Sequence, residues 1–197
     1  MSTAAIDKRR VILDAAVRVF ARQGFHTCRV SDIADEAGVA YGLVYHYFPS
    51  KDTILDTLFL ERWDVMLTAI AETERTDREP REKLRAIASF IVDSYRYDPD
   101  LMKVIIVEVT RAANTFGRTH VDKIMQAYEA IGRIVEQAQV AGIFRTEIDA
   151  TFAAQAFYGL LEQVLTQWIF SERPVPAEEF EHVKTEIVEM ICGGLGG

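Results

Sequence analysis

The chain is short of the residues that build metal centres, disulfide frameworks or membrane spans. Its two cysteines, Cys28 and Cys192, stand far apart and make no metal-ligand spacing. Its four histidines, His26, His46, His120 and His182, are scattered singly, which argues against a built-in zinc site. No run approaches the ~18 uninterrupted apolar residues of a membrane span. The opening MSTAAIDKRR lacks the apolar segment of a secretion signal. The expectation is a cytoplasmic chain with no membrane partner, no metal and no cofactor. Also missing are a nucleophile elbow and a phosphate-cradling glycine loop. The neighbouring carboxylates Asp35-Glu36 and Glu178-Glu179 read as helix surface. No enzyme is expected and no catalytic residue is assigned.

What is present is charge, unevenly spread. The net charge is -8 over 197 residues, with 49% of residues apolar and 26% charged, a composition that suits a globular protein. Residues 1–51 sum to +2 and the remainder to -10. An acidic body repels phosphate and leaves the N-terminal part as the face able to approach DNA. A balance of +2 is by itself a weak signal.

The apolar spacing is helical throughout, and the five prolines, Pro49, Pro80, Pro99, Pro174 and Pro176, fall where helices should start or stop. A first helix is expected over 7–23, with Ile12, Ala15, Ala16, Val19 and Phe20 on its buried stripe. Gly24 follows as a left-handed C-terminal residue. A short second helix carries Val30, Ile33, Ala34 and Ala37 and ends at Gly38. A third runs from Tyr41 to Tyr47 and stops before Pro49. Three short helices with a tight Gly38-Val39 turn make a helix-turn-helix. Ser50 then caps a long helix over 51–73. Further helices are expected at about 80–97, 99–114, 118–141, 149–171 and 177–192, with a disordered glycine-rich tail from Gly193. The β-branched stretch Leu101 to Val109 reads as helix because no partner strand exists elsewhere.

The segment Val30 to Asp52 (VSDIADEAGVAYGLVYHYFPSKD) carries the functional signal. Ile33, Ala34, Ala37, Val39, Val44 and Phe48 supply apolar knobs that set two helices at a steep angle, so that the second can enter a major groove ~12 Å wide. Gly42 leaves backbone free to lie close to DNA. Tyr45, His46 and Tyr47 offer donors toward phosphates, although the two phenols could instead pack in the core. Lys51 adds charge at a helix N-terminus that already favours an anion. This D-I-A-x-x-A-G-V block, followed by G-x-x-Y-x-Y-F and then S-K, resembles the DNA-binding domain of the TetR family over roughly residues 8–60.

The resemblance implies an all-α protein of about nine helices. A three-helix DNA-binding domain would occupy 1–50 and a helical ligand-binding and dimerisation domain 51–197. It implies a homodimeric repressor on double-stranded, near-palindromic operator DNA, contacted through Arg29, Ala40, Tyr41, Gly42, Leu43, Tyr45, His46, Tyr47 and Lys51. Tyr41 and Leu43 depart from the family's usual residues at their positions. Both point at base edges, and Leu43 is suited to a thymine methyl. Cys28-Arg29 stand where the family usually has Thr or Ser, which leaves the cap of the second helix open and offers Arg29 as a phosphate or base contact.

Beyond residue 52 the signal weakens. The 149–171 helix is apolar beyond one face, with Phe152, Gly159 and Ile169 widening the stripe. With the last helix it suits a four-helix bundle across a two-fold axis. The helices at 80–141 should wall a mostly apolar pocket with a few polar groups. Its candidate lining is Tyr95, Glu108, Arg111, Asn114, Tyr128, Glu162, Gln163 and Trp168. Glu108 falls on an apolar helix face, where it either meets a ligand or pairs internally with Arg111. The Val107-Glu108-Val109 and Gly159 to Trp168 segments resemble the acyl-CoA-responsive branch of the family. That implies an acyl-CoA effector, with Arg96, Lys103, Arg111, Arg118, Lys123 and Arg133 as candidates for its phosphates. A DNA-binding structural protein of the same fold, with no small-molecule effector, is the alternative.

Overall fold

The computed structural model describes residues 3–108, 118–171 and 173–195, with side chains at 8–107, 119–171 and 173–194. Among them run nine α-helices and no extended strand: α1 Thr3–Gln23, α2 Val30–Ala37, α3 Tyr41–Tyr47, α4 Lys51–Glu74, α5 Pro80–Tyr97, α6 Pro99–Lys103, α7 Arg118–Val140, α8 Ala150–Phe170 and α9 Ala177–Leu195. Two compact units divide the chain. One comprises Met1–Glu61 with Asp98–Gly117, the other Arg62–Tyr97 with Arg118–Gly197. The division falls inside α4, eleven residues beyond the expected cut at 50, and α6 joins the first unit.

In the first unit, the α1 stripe Ile12, Ala15, Ala16, Val19 and Phe20 is wholly buried, as its spacing predicts. Ile33 and Ala34 of α2, Val44 of α3, then Phe48, Ile54 and Leu55 complete the core. Each buried large apolar side chain contributes about 1.5–3 kcal/mol by leaving water, most of it offset by the cost of ordering the chain. The turn between α2 and α3 follows from Gly38, whose φ of 62° is left-handed. Its N–H reaches the Asp35 carbonyl at 3.2 Å, and the Val39 N–H reaches Ala34 at 3.0 Å. This double closure ends a helix and fixes the exit angle of the chain. The start of α2 is solved differently from a Ser or Thr cap. Arg29 is the N-cap, and its own N–H donates to the Asp32 carboxylate at 2.8 Å.

The stretch after α6 departs from expectation. A plain helix was expected over 99–114, but Val104–Glu108 is π-helical. In a π turn each N–H bonds five residues back, so side chains no longer repeat on the 3.6-residue period. Residues 109–114 lie outside those described. Lys103, just before the π turn, donates to the Ala21 carbonyl at 2.6 Å and so ties α6 to the end of α1.

The second unit packs α5, α7, α8 and α9 with the C-terminal part of α4. Asp149 caps α8 by accepting from the Phe152 N–H at 2.8 Å. Gly132 of α7 faces the start of α8, where a Cβ would stand in ordinary van der Waals contact, 3.6 Å from the Ala150 carbonyl oxygen. Between α5 and α9 lies a buried lysine. Lys184 is 2% exposed and donates to Asp93 at 2.7 Å and Glu181 at 2.6 Å. The last helix runs through Gly193 and Gly194 to Leu195 rather than stopping before the glycines. Buried Val188 and Cys192 anchor the preceding turn, from which these poor helix formers continue the register.

Candidate nucleic-acid interface and effector site

The α3 helix is short, and its two faces are sharply different. Val44 and, just past the helix, Phe48 are buried, which locks the helix against α2. The opposite face is open. Tyr41 is 53% and Tyr45 42% exposed, which settles the core alternative for Tyr45 against packing. Their rings meet edge to face at 5.1 Å, and the Tyr41 hydroxyl donates to that of Tyr45 at 3.1 Å. His46 is exposed and sits edge-on to the half-buried Tyr47 at 5.1 Å. Leu43 is half-buried, while Ala40 at the N-cap and Gly42 are exposed. A Cβ on Gly42 would meet nothing of the protein within 4 Å, so only an outside partner can demand its smallness. Arg29 is exposed at the start of α2.

Lys51 has a different place from the one its sequence position suggests. Its ammonium donates to the carbonyls of Phe25 at 2.7 Å, Cys28 at 3.1 Å and His26 at 3.3 Å, and lies 4.7 Å from the Phe25 ring centre. An ammonium has three protons, and all three are directed at the turn between α1 and α2. Lys51 thus ties α4 to that turn, and the geometry offers no free donor for a phosphate. Other cations of this unit are also held. Arg9 meets Glu61 at 2.8 Å, Arg10 meets Asp14 at 2.9 Å, and Arg18 and Arg22 grip Glu36 at 2.7 and 3.1 Å. The two guanidiniums hold the Glu36 carboxyl below its ordinary value.

The expected effector residues fall into two clusters and a remainder. Tyr95 and Trp168 share an aromatic group with Phe180, with ring centres 5.5 Å apart for Tyr95 and Trp168 and 5.1 Å for Trp168 and Phe180. Trp168 is buried, so this group is core. Tyr128 and Glu162 belong to a second cluster that the sequence reading missed in part. Tyr158 stands one helical turn before Glu162 on α8, with its ring 5.6 Å from Tyr128 and 5.9 Å from Trp63. Burial pushes the Glu162 carboxyl above its ordinary range. Burial first, and the Glu162 charge second, pushes both phenols up as well. The missed signal was the i, i+4 spacing of Tyr158 and Glu162 on a helix whose polar residues are few. Gln163 is exposed on the other side of α8. The Glu108 side chain, Arg111 and Asn114 lie outside the described residues, as does the Arg118 side chain.

The residues considered for phosphates of an effector are largely engaged within the protein. Lys123 pairs with Asp64, Arg133 with Glu74 at 2.8 Å, and Arg96 lies over the Phe180 ring at 5.6 Å. An open groove of about 500 Å³ runs along α7 and the start of α8, past Glu129, Arg133, Glu136 and Asp149. Its lining is polar, and of the residues considered for an effector only Arg133, among those described, faces it.

Two family profiles match consecutive parts of the chain. Residues 12–58 match the profile of bacterial regulatory proteins of the tetR family, and residues 59–192 that of the YsiA-like protein C-terminal region. The fatty acid metabolism regulator protein of Bacillus subtilis is 28% identical over 185 residues, 93% of either chain. The HTH-type transcriptional repressor KstR2 of Rhodococcus jostii is 24% identical, covering 95% of this chain and 91% of its own. Among solved structures, the fatty acid degradation regulator FadR from Bacillus halodurans superposes with a TM-score of 0.86 at 26% identity, covering 95% of this chain and 96% of its own. FadR from Bacillus subtilis, solved in complex with stearoyl-CoA, superposes with a TM-score of 0.84 at 25% identity, covering 94% and 98%. A helix-turn-helix of family spacing, an exposed α3 and two family profiles that together span 12–192 lead to one assignment: the chain belongs to the tetR family of bacterial regulatory proteins.

Proposed function

We propose that this protein is a ligand-responsive transcriptional repressor. It binds a near-palindromic operator as a homodimer and leaves it when a mostly apolar molecule, with long-chain acyl-CoA as the leading candidate, occupies the second unit. The observation that carries the DNA half is α3 itself, with Val44 held in the core while Tyr41, Tyr45 and His46 face outward. A dimer is supported by an uncovered stripe on α8. Phe152 and Phe170 are 64% and 62% exposed, with exposed Gly159 between them, and Met190 of α9 is 62% exposed. Two-fold pairing would cover such a stripe and set the two copies of α3 about one DNA turn, ~34 Å, apart or a multiple of it.

The effector half rests on likeness to FadR with stearoyl-CoA and on α4, which begins behind α3 at Lys51 and contributes residues to both units. A ligand shifts such an equilibrium only by its difference in affinity for the two states. Moving it from 1:99 to 99:1 takes roughly 5.5 kcal/mol. At ~0.8 kcal/mol per buried CH₂, about seven methylenes better buried in one state supply that.

The test is a binding screen of the full chain on the DNA upstream of its own gene, with stoichiometry read by native mass spectrometry. A dimer on a discrete inverted-repeat site is expected. Sequence-independent binding, or a monomer on the DNA, would refute the reading.

A further inference from the structure

The sequence of α3, Tyr41-Gly42-Leu43-Val44-Tyr45-His46-Tyr47, contains no Arg, Lys, Asn or Gln. The usual bidentate base readers and charged phosphate clamps are therefore absent from the helix that faces DNA. Around it, Arg9, Arg10, Arg18 and Arg22 are held by carboxylates, and Lys51 is given to backbone carbonyls. Phosphate contact from α3 falls to neutral hydroxyls, which are common phosphate donors.

Two of those hydroxyls are not independent. The residues Tyr41 and Tyr45 lie one turn apart, joined by the 3.1 Å hydrogen bond and the edge-to-face contact described above. A phenol has one proton. Tyr41 directs its proton to Tyr45, so Tyr45 keeps its own for an acceptor outside the protein. Accepting a hydrogen bond polarises the Tyr45 O–H and strengthens it as a donor. The contact also fixes a ring that would otherwise lose rotamer freedom on binding.

We infer that Tyr41 is a positioning residue rather than a base reader: the two phenols act as one unit that presents the Tyr45 O–H to a DNA phosphate. This rests on α3 being the helix that meets DNA. The test uses the full chain, with Y41F, Y45F and the double variant. Fluorescence anisotropy is read on the native upstream duplex and on a scrambled duplex of equal length. Y41F keeps the ring contact and removes only the hydroxyl, and thermal unfolding midpoints should not move. Y45F is expected to lose roughly tenfold in affinity and Y41F roughly threefold, as fits the loss of charge-assisted hydrogen bonding. The double variant should lose no more than Y45F alone, the signature of coupling. The losses should be equal on both duplexes. Multiplying losses, a Y41F chain that binds like wild type, or a loss confined to the native sequence would overturn the inference. Failure of the wild-type chain to bind either duplex would instead overturn the assignment of α3, and this inference with it.

Discussion

In the first unit the polar side chains of α3 stand outside, while in the second several polar side chains stand buried or half-buried. Tyr41, Tyr45 and His46 are on the surface of a helix whose core face is closed by Val44. Lys184 is buried between α5 and α9, and Glu162, Tyr128 and Tyr158 are drawn out of water among α7 and α8. The contrast teaches where each unit stores its energy. The exposed phenols cost the fold almost nothing, so changing them should alter binding and leave stability alone. The interior groups strain or brace the second unit, so changing them should alter stability first. Glu162 is half-buried, and a carboxyl drawn out of water favours any state that gives it a partner.

The largest expected effect belongs to the interior. Trp168→Ala should remove about 3–5 kcal/mol of stability, the range for deleting a large buried aromatic, measured by urea denaturation. A loss under about 1 kcal/mol would mean that Trp168 lines a space rather than filling the core. Lys184→Ala should follow at about 3 kcal/mol, because Asp93 and Glu181 lose the cation that faces both. Both carboxylates keep some water, which holds the loss to the low end of that range. Lys184→Met, which keeps the packing of the stem, should lose less.

Lys51→Ala sharpens the comparison within the first unit. It should destabilise by about 2 kcal/mol, as expected for charged hydrogen bonds to backbone. Unchanged stability with weakened DNA binding would return Lys51 to the phosphate role its sequence position suggests. Glu162→Gln should stabilise at neutral pH. The folded carboxyl titrates above its unfolded value, so its charge disfavours folding more and more as pH rises from the unfolded value through the folded one. The gain should therefore shrink as pH falls toward 4.5 and both chains carry a neutral side chain. A gain that persisted at low pH would assign the effect to packing. Smallest of all, Leu43→Ala should change stability by no more than about 0.5 kcal/mol, yet relax the sequence preference of operator binding in a competition assay.

The first unit was legible because its determinants are local. The α1 stripe, the Gly38 turn and the Ser50 cap each depend on a few neighbouring residues, and the structure has all three, with the Thr53 N–H on the Ser50 hydroxyl at 3.1 Å. Lys51 escaped because its partners lie about 25 residues earlier, and a helix-end position says nothing about a distant carbonyl. The π turn at 104–108 escaped because β-branched residues look helical or extended by period, and no local pattern announces a five-residue bonding step. Of the Tyr128, Tyr158 and Glu162 cluster only Tyr158 was missed, because on an α8 that is apolar beyond one face a phenol at that position reads as core packing. The groups considered for effector phosphates looked free in the sequence, but Lys123 and Arg133 have carboxylates on α4 that no spacing rule reveals.

The coupling of the two units is tested most directly by one titration. The affinity of the full-length chain for the DNA upstream of its own gene is measured with and without saturating stearoyl-CoA. The proposal predicts a fall of roughly tenfold or more, about 1.4 kcal/mol of differential binding. Unchanged affinity, in a chain shown to bind both the DNA and stearoyl-CoA, would contradict it.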